Sequence, residues 1–315
     1  MQINILEPEK FSRHALELLA RLGSVSKFDG SSLDGFLSEA EVLFVRLGYQ
    51  IDKSFLDKAP KLRWICSPTT AHTHIDEIEL KKRGISLISL KGEREFLDTV
   101  RATPEHTFGL ILAVLRKYSS AVSVVSEGAW NRNACLGTDL FGKNVGVLGL
   151  GRVGHRVAEY CDAFGARIFY FDKRGVVVRS NWTLCDDVPS LIECSEIIVL
   201  CASYDNGQPK LLGSKEIGLM SGKYFVNTAR GELVDEVALI SAIEKNRLAG
   251  VAIDVLAREN QENNLCQWRR FLKTRNLFIT PHIGGATEGA MSSTEVFIAE
   301  KFQSKLQERE KPIRP

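Results

Sequence analysis

Three ionisable side chains in the second half of the chain have types that suit proton transfer beside a bound carboxylate: Arg230, Glu259 and His282. An arginine can hold a carboxylate or a polarised carbonyl with two parallel hydrogen bonds. A histidine can donate or accept a proton near neutral pH, and a nearby glutamate favours its protonated form. Each side chain alone has an ordinary structural explanation, such as a surface ion pair, so the hypothesis depends on their being brought together.

Each of the three follows a predicted strand. Short apolar segments lie at 224–227, 250–255 and 277–279, and a fourth lies at 197–200. Predicted helices alternate with them, including one at 236–245, which indicates a parallel sheet. Because ligands bind beyond the carboxyl ends of such strands, we expect the three side chains at one rim of the sheet.

The segment KNVGVLGLGRVGHRVAEYCDAFGARIFYFD predicts a nucleotide-binding unit. Gly149, Gly151 and Gly154 have the spacing G-x-G-x-x-G between an apolar strand and an amphipathic helix. A diphosphate must approach main-chain N–H groups closely, so we expect no room for a Cβ at Gly149 or Gly151, and the helix N-terminus would add a partial positive charge. Similar turns occur in loops that bind nothing, but the strands and helix around this one favour a dinucleotide.

Asp172 ends this unit, about 20 residues after the glycines, where a carboxylate can accept hydrogen bonds from the ribose hydroxyls of the adenosine half. A 2′-phosphate about 4 Å away would meet a repulsion of about 4 kcal/mol at an effective dielectric constant of about 20. Lys173 and Arg174 follow directly and offset part of that repulsion. The sequence therefore favours NAD as the cofactor over NADP.

A dinucleotide at the same rim as Arg230, Glu259 and His282 predicts hydride transfer to or from a 2-oxo acid. A different class stays open: a dinucleotide-sensing interaction protein that keeps the fold without turnover. Such a sensor has no need of a proton relay, and the three side chains therefore favour an enzyme. A methyltransferase or a short-chain dehydrogenase is a weaker alternative.

The 315 residues are long for one domain and fit two. A hydrophobic fraction of 44% and a net charge of +2 are those of a globular protein and argue against nucleic acid or an anionic membrane as the main partner. We expect a cytoplasmic protein, since no segment has the pattern of a secretory signal or a membrane span.

Seven scattered cysteines predict reduced core thiols. His72 and His74 have no third ligand nearby, so we expect a polar loop and no metal site.

The first hundred residues predict a separate α/β lobe without a phosphate-binding turn. Its expected strands lie at 41–46, 62–66 and 85–90, and its expected helices at 11–22 and 75–83.

Two further helices connect to this lobe. A long, buried helix is expected to begin with Thr103 as its cap and Pro104 at its first position. The final helix, roughly 287–306, is expected to pack against the first lobe through one apolar side, formed by Ile298, Phe302 and Leu306.

The chain resembles the D-isomer-specific 2-hydroxyacid dehydrogenase family, whose members include D-3-phosphoglycerate dehydrogenases. The likeness is carried by the nucleotide-binding segment, RATPEHTFGLILAVLR, FVNTARGELVDEVALISAIEKNRLAGVAIDV and ITPHIGGATEGA. It implies an α/β fold in which a Rossmann doubly wound parallel sheet domain, 101–287, is inserted into a smaller flavodoxin-like substrate domain, 1–100 plus 288–315. It also implies a site in the cleft and a homodimer formed through the cofactor domains.

By matching motif positions, the resemblance makes Arg230, Glu259 and His282 the catalytic residues, with Arg230 also binding the substrate. Thr69, Thr70 and Ala71 take the place of the family's Gly-Val-Gly-like substrate loop, and two hydroxyls there suit D-3-phosphoglycerate or a related sugar acid. The family usually has a proline soon after its catalytic glutamate, whereas in this chain Asn260 follows Glu259. The implied cofactor contacts are Thr103, Gly149, Gly151, Arg152, Val153, Gly154, Asp172, Cys201, Ala202, Thr228, Ala229, Asp254 and Gly284.

The substitution His282→Ala is expected to abolish turnover of a 2-hydroxy acid while leaving NADH binding nearly intact, because the imidazole exchanges the proton and does not hold the cofactor. NADH absorbance measures turnover and NADH fluorescence measures binding. Retention of more than about a tenth of the activity would refute this role.

Overall fold

The computed structural model describes residues 1–176, 178, 181–205, 207–259, 265–272 and 275–310. They form two compact units. Unit 1 consists of Met1–Val100 with the described part of Ala286–Pro315, and unit 2 is Arg101–Gly285. Each unit is built on a parallel sheet, which confirms the predicted α/β fold class.

Unit 1 contains a five-stranded sheet in the order β2-β1-β3-β4-β5, which is the flavodoxin-like order. Its strands are β1 (Gln2–Ile5), β2 (Ser24–Lys27), β3 (Val42–Phe44), β4 (Trp64–Ser67) and β5 (Ser86–Ser89). Its first five helices are α1 (Arg13–Ala20), α2 (Leu33–Ser38), α3 (Lys53–Leu56), α4 (Glu77–Arg83) and α5 (Arg94–Thr99). The sequence predictions include β3, β4 and β5 in longer form and omit β1 and β2. The edge strand β2 has no buried residue, so it lacks the apolar pattern on which such predictions depend.

Unit 2 contains a seven-stranded sheet in the order β12-β11-β10-β9-β6-β7-β8. The order reverses between β6 and β9, as in doubly wound Rossmann sheets. The strands are β6 (Asn144–Leu148), β7 (Arg167–Phe171), β8 (Thr183–Leu184), β9 (Ile197–Leu200), β10 (Tyr224–Asn227), β11 (Gly250–Ile253) and β12 (Leu277–Ile279). The helices are α6 (Ala102–Leu115), α7 (Tyr118–Ser126), α8 (Arg152–Ala163), α9 (Val188–Cys194), α10 (Ser214–Gly218), α11 (Glu236–Glu244) and α12 (Cys266–Arg269), with short 3-10 turns at Asn133–Cys135 and Gly231–Leu233.

The start of α6 differs from the prediction. Arg101 is the cap residue, without a side-chain hydrogen bond, and Thr103 is the second residue of the helix. Pro104 therefore occupies the third position, which the first turn tolerates because its N–H groups have no partner within the helix. The main-chain oxygen of Thr103 accepts a hydrogen bond from Thr107 Oγ1 at 2.7 Å.

The C-terminal helix α13 (Glu288–Glu310) packs on the core of unit 1, as predicted. Ile298 and Phe302 are fully buried. The ring of Phe302 meets the rings of Phe44 and Trp64 edge-on, with centroids 6.4 and 5.6 Å apart. The two chain ends thus share one hydrophobic core.

None of the seven cysteines, all of which lie in the described part of the chain, forms a disulfide, and Cys66, Cys161 and Cys185 are buried as predicted. Burial raises the pKa of the Cys66 thiol well above its usual range. Cys194 and Cys266 are exposed, so the prediction of core thiols is wrong for these two.

Among the described residues, no single helix has both the length and the apolar composition that a membrane crossing needs; α6 and α7 meet the criterion only as a pair, bent by 64°. Within the same part of the chain, no group of three or more His, Cys, Asp or Glu side chains is placed to hold a metal ion. His72 and His74 lie in the loop after β4 and are buried instead of solvated.

Candidate active site

The carboxyl ends of six strands in unit 2 lie side by side in one register. Parallel pairing aligns Phe171, Leu148, Leu200, Asn227, Ile253 and Ile279. Most residues expected in the site follow one of these six positions: Asp172, Gly149, Cys201, Ala202, Thr228, Ala229, Arg230, Asp254, Glu259 and His282. The sheet therefore brings them to one edge of unit 2.

The glycine turn after β6 has space for an anion at one of the two expected positions. At Gly151, a Cβ would meet nothing closer than Arg174 Nη2 at 3.8 Å. Gly149 has a φ of +89°, and its Cβ would lie 2.5 Å from the Cα of Ala202, so this glycine is needed for contact with the loop after β9. Gly149 therefore has no room for a Cβ, as expected, although the atoms that exclude it belong to Ala202. The contact of both glycines with a diphosphate stays a prediction. Gly151 caps α8 without a side chain, so the first turn, Arg152 to Gly154, has no side-chain cap, which fits a diphosphate.

Asp172 is 8% exposed and its two oxygens each accept two hydrogen bonds. Oδ1 accepts from the main-chain N–H of Arg174 at 2.9 Å and from its Nε at 2.9 Å. Oδ2 accepts from Arg174 Nη2 at 2.8 Å and from the N–H of Leu150 at 2.9 Å. The Arg174 side chain outweighs burial and, with both N–H groups, lowers the pKa of Asp172 to about 2. A permanently ionised acceptor fits ribose hydroxyls, although Arg174 already holds both oxygens.

The turn after β10 is held by the buried side chain of Asn227, which accepts from the N–H of Ala229 at 2.9 Å and donates to the carbonyl of Arg230 at 3.1 Å. Thr228, next in the turn, is hydrogen-bonded through Oγ1 to Thr107 Oγ1 at 2.7 Å. These contacts fix the backbone from which Arg230 extends.

The guanidinium of Arg230 has unused donor capacity. Nη1 donates to the carbonyl of Ala229 at 2.6 Å, whereas Nε is buried and has no hydrogen-bond partner among the described residues. Burial lowers the pKa of Arg230, although the charges of Glu259 and Glu232 oppose this shift. A buried cation with an unused N–H is suited to an anionic ligand, since a carboxylate would satisfy both.

Glu259 and His282 form a direct pair, with Oε2 of the carboxylate 2.6 Å from Nδ1 of the imidazole. A carboxylate accepts only, so Nδ1 is the donor and Nε2 is the nitrogen that can exchange a proton with a ligand. The backbone of His282 lies in the left-handed region, with a φ of 53°. Its N–H donates to the carbonyl of Asp254 at 2.8 Å, which fixes this unfavourable conformation.

Asp254, 2% exposed, organises the loop that carries His282. It accepts hydrogen bonds from Thr280 Oγ1 at 2.5 Å, from the N–H of Ile283 at 2.9 Å and from the N–H of Gly284 at 2.8 Å. Burial raises the pKa of Asp254, but these donors and an imidazole outweigh it, so the pKa falls below its usual value.

The imidazole is that of His106 on α6, whose Nε2 lies 3.2 Å from Asp254 Oδ1 and 3.1 Å from Thr280 Oγ1. The sequence reasoning missed His106, because its partner is far away in the chain and nothing in its own helix marks it. Thr103 lies nearby: its Cγ2 would be 3.4 Å from a Cβ at Gly284. The expected cofactor residues Thr103, Asp254 and Gly284 therefore cluster.

The expected substrate loop belongs to unit 1. Thr69 Oγ1 is 2.9 Å from Ser67 Oγ and donates to the carbonyl of Ala71 at 3.2 Å, while Thr70 is exposed. Asn260 lies outside the described residues.

Residues 108–284 match the sequence model of a family described as D-isomer specific 2-hydroxyacid dehydrogenase, NAD binding domain. The chain is 29% identical over 311 residues to a D-3-phosphoglycerate dehydrogenase of Methanocaldococcus jannaschii. This alignment covers 96% of this chain and 57% of that relative. It is 30% identical over 274 residues to a glyoxylate reductase of Thermococcus litoralis. This second alignment covers 84% of this chain and 80% of that relative. The chain thus spans little more than half the length of the first of these relatives.

A solved structure of D-lactate dehydrogenase from Aquifex aeolicus, complexed with NAD and lactic acid, superposes with a TM-score of 0.82 at 23% identity. The match covers 97% of this chain and 96% of that one. At this identity the likeness establishes the shared fold.

The substitution Asp254→Asn is expected to lower the free energy of unfolding by about 3 kcal/mol, because one acceptor oxygen becomes an NH₂ group that faces donors. Urea unfolding measures this change, and hydrogen exchange at 280–284 should accelerate. Asp186→Asn, at an exposed position, is the control. Equal stability of the two variants would contradict the role assigned to Asp254.

Proposed function

Because the chain belongs to the D-isomer-specific 2-hydroxyacid dehydrogenase family, we propose that it is an NAD-dependent oxidoreductase that interconverts a D-2-hydroxy acid and its 2-oxo acid. The main support is the 2.6 Å contact between Glu259 and His282. Arg230, whose Nε has no hydrogen-bond partner in the described part of the chain, follows β10, and β10 pairs with β11, the strand before Glu259. An acid–base pair and an anion-binding cation thus share one edge of an NAD-binding domain.

The chemistry of the residues follows from their donors and acceptors. The glycine turn at Gly149–Gly154 and Asp172 would hold the dinucleotide, which would supply a hydride acceptor for C2 of the hydroxy acid or, when reduced, a hydride donor for the 2-oxo acid. Arg230 would hold the carboxylate and the C2 oxygen through parallel N–H groups. His282 Nε2 would take the hydroxyl proton as the C2–H bond breaks, so the oxygen becomes a carbonyl, and Glu259 would stabilise the resulting imidazolium.

As the substrate we propose D-3-phosphoglycerate or a related sugar acid. Two observations support this choice: the hydroxyls of Thr69 and Thr70 in the expected substrate loop, and a D-3-phosphoglycerate dehydrogenase among the relatives. Glyoxylate, the substrate named for other relatives, is too small to offer a second polar group to this loop. Turnover of a panel of acids separates the two.

With NADH, the protein is expected to reduce the 2-oxo acid of D-3-phosphoglycerate with a higher kcat/KM than glyoxylate or pyruvate.

The substitution Arg230→Lys is expected to lower kcat/KM about 100-fold, because a lysine offers a point charge without the parallel pair of donors. NADH absorbance measures turnover, and NADH fluorescence should show unchanged binding. Binding without turnover of any acid would contradict the enzyme and support the sensor.

We further propose that the protein forms a homodimer through its cofactor domain. Helix α7 has no buried residue. Of the thirteen large hydrophobic residues that are exposed within the described ranges, six lie between 118 and 141: Tyr118, Val122, Val125, Trp130, Leu136 and Phe141. An apolar surface concentrated in one segment of unit 2 is typical of a protein interface, and a second copy of the chain is the partner that a two-fold contact requires.

We also propose a cytoplasmic location, since cysteines that form no disulfide fit a reducing compartment.

The substitution Val122→Glu is expected to convert the dimer into monomers of 35.1 kDa, because a carboxylate would be buried in the apolar contact. Light scattering after gel filtration measures the mass. Val237→Glu on α11 is the control, since Val237 is 77% exposed and Val122 is 65% exposed. A wild-type protein of monomer mass, or a Val122→Glu dimer, would contradict the proposed interface.

A further inference from the structure

The loop after β11 makes an unusual set of contacts. Three consecutive main-chain N–H groups each donate to a different glutamate: Leu256 to Glu259 Oε1 at 3.1 Å, Ala257 to Glu236 Oε1 at 2.8 Å and Arg258 to Glu232 Oε1 at 3.3 Å. Only Glu259 belongs to the expected catalytic set. The other two carboxylates have no part in the proposed reaction.

The loop needs external support. Arg258 lies in the left-handed region with a φ of 57°, a conformation that is unfavourable for residues other than glycine. The loop also lies directly against the turn after β10, because a Cβ at Gly231 would be 2.0 Å from the nitrogen of Ala257. The segment from Arg230 to Glu236 and the segment that carries Glu259 are therefore held together.

Glu236 is the firmer of the two additional contacts. It is the first residue of α11, whose cap residue Asp235 accepts a hydrogen bond from the N–H of Ala238 at 3.3 Å, so its backbone is anchored in a helix. Burial, together with the charges of Glu232 and Glu259, raises the pKa of Glu236, while the N–H of Ala257 and the charge of Lys210 oppose the shift. A half-buried acid that accepts a main-chain N–H supports the loop in either protonation state, because its oxygens keep lone pairs after protonation.

We propose that Glu236, assisted by Glu232, is a positioning residue: the two carboxylates hold the Ala257 and Arg258 amides so that the Glu259 carboxylate stays in contact with His282. The inference rests on the proposed function, since it assigns Glu259 and His282 to proton transfer. It adds a residue that touches neither substrate nor cofactor and acts through the backbone that carries Glu259.

The experiment compares Glu236→Ala with Glu236→Gln in the full chain. Glu236→Ala removes the acceptor for Ala257 and is expected to lower kcat about 30-fold, because acid–base catalysis depends on the placement of the pair. The KM for the 2-oxo acid and the dissociation constant for NADH are expected to change less than about threefold, because Arg230 and the glycine turn are intact. Glu236→Gln keeps an acceptor oxygen and should restore kcat to within about threefold of wild type.

The matched control is Glu244→Ala at the other end of α11, where the exposed Glu244 contacts Arg270 at 3.4 Å. It should leave kcat unchanged. Hydrogen exchange at 256–258 should rise in Glu236→Ala and, less strongly, in Glu232→Ala, which keeps a test available if the first variant does not fold.

The outcomes are distinct. Wild-type kcat in Glu236→Ala, an equal loss in Glu236→Gln, or unchanged exchange at 256–258 would overturn the positioning role. If His282→Ala is inactive and Glu236→Ala is fully active, only this inference fails. If His282→Ala is active, both the proposed function and this inference fail.

Discussion

The register of the parallel sheet in unit 2 is the constraint on which the site depends. Hydrogen bonding between neighbouring strands aligns the last residues of six strands, from Phe171 to Ile279, in one row. A shift of one residue in any strand would turn its side chains to the opposite face. The strands are buried on both faces by helices, so the cost of such a shift is high. The rigid row allows short loops to place reactive side chains.

Two carboxylates outside the proposed acid–base pair accept main-chain hydrogen bonds from these loops. Asp254 accepts hydrogen bonds from the two N–H groups that follow His282. Glu236 accepts one from an N–H group that precedes Glu259. The backbone lies in the left-handed region at His282 itself and at Arg258, the residue before Glu259. Hydrogen bonds from both loops to these carboxylates thus stabilise a backbone conformation that is unfavourable for residues other than glycine.

The sequence predicts the strands that end at the site better than the rest of the fold. The ranges 197–200, 224–227 and 277–279 agree with the structure, because each strand is a short, mostly apolar run bounded by turn residues. The exposed edge strand β2 carries no such pattern. His106 and Glu236 were not predicted as parts of the site, since each acts on a residue that only the folded chain brings near. The close contact of Gly149 with Ala202 was not predicted for the same reason.

The contacts of Asp172 have a consequence for the cofactor. A carboxylate has about four lone-pair positions, and Leu150 with Arg174 uses four of them. A ribose that binds Asp172, as the family resemblance implies, would have to displace the Arg174 guanidinium to add its hydroxyls to this set. The affinity for the dinucleotide would then be a difference between two sets of hydrogen bonds, with the protein's own arginine as the competitor for one acidic side chain.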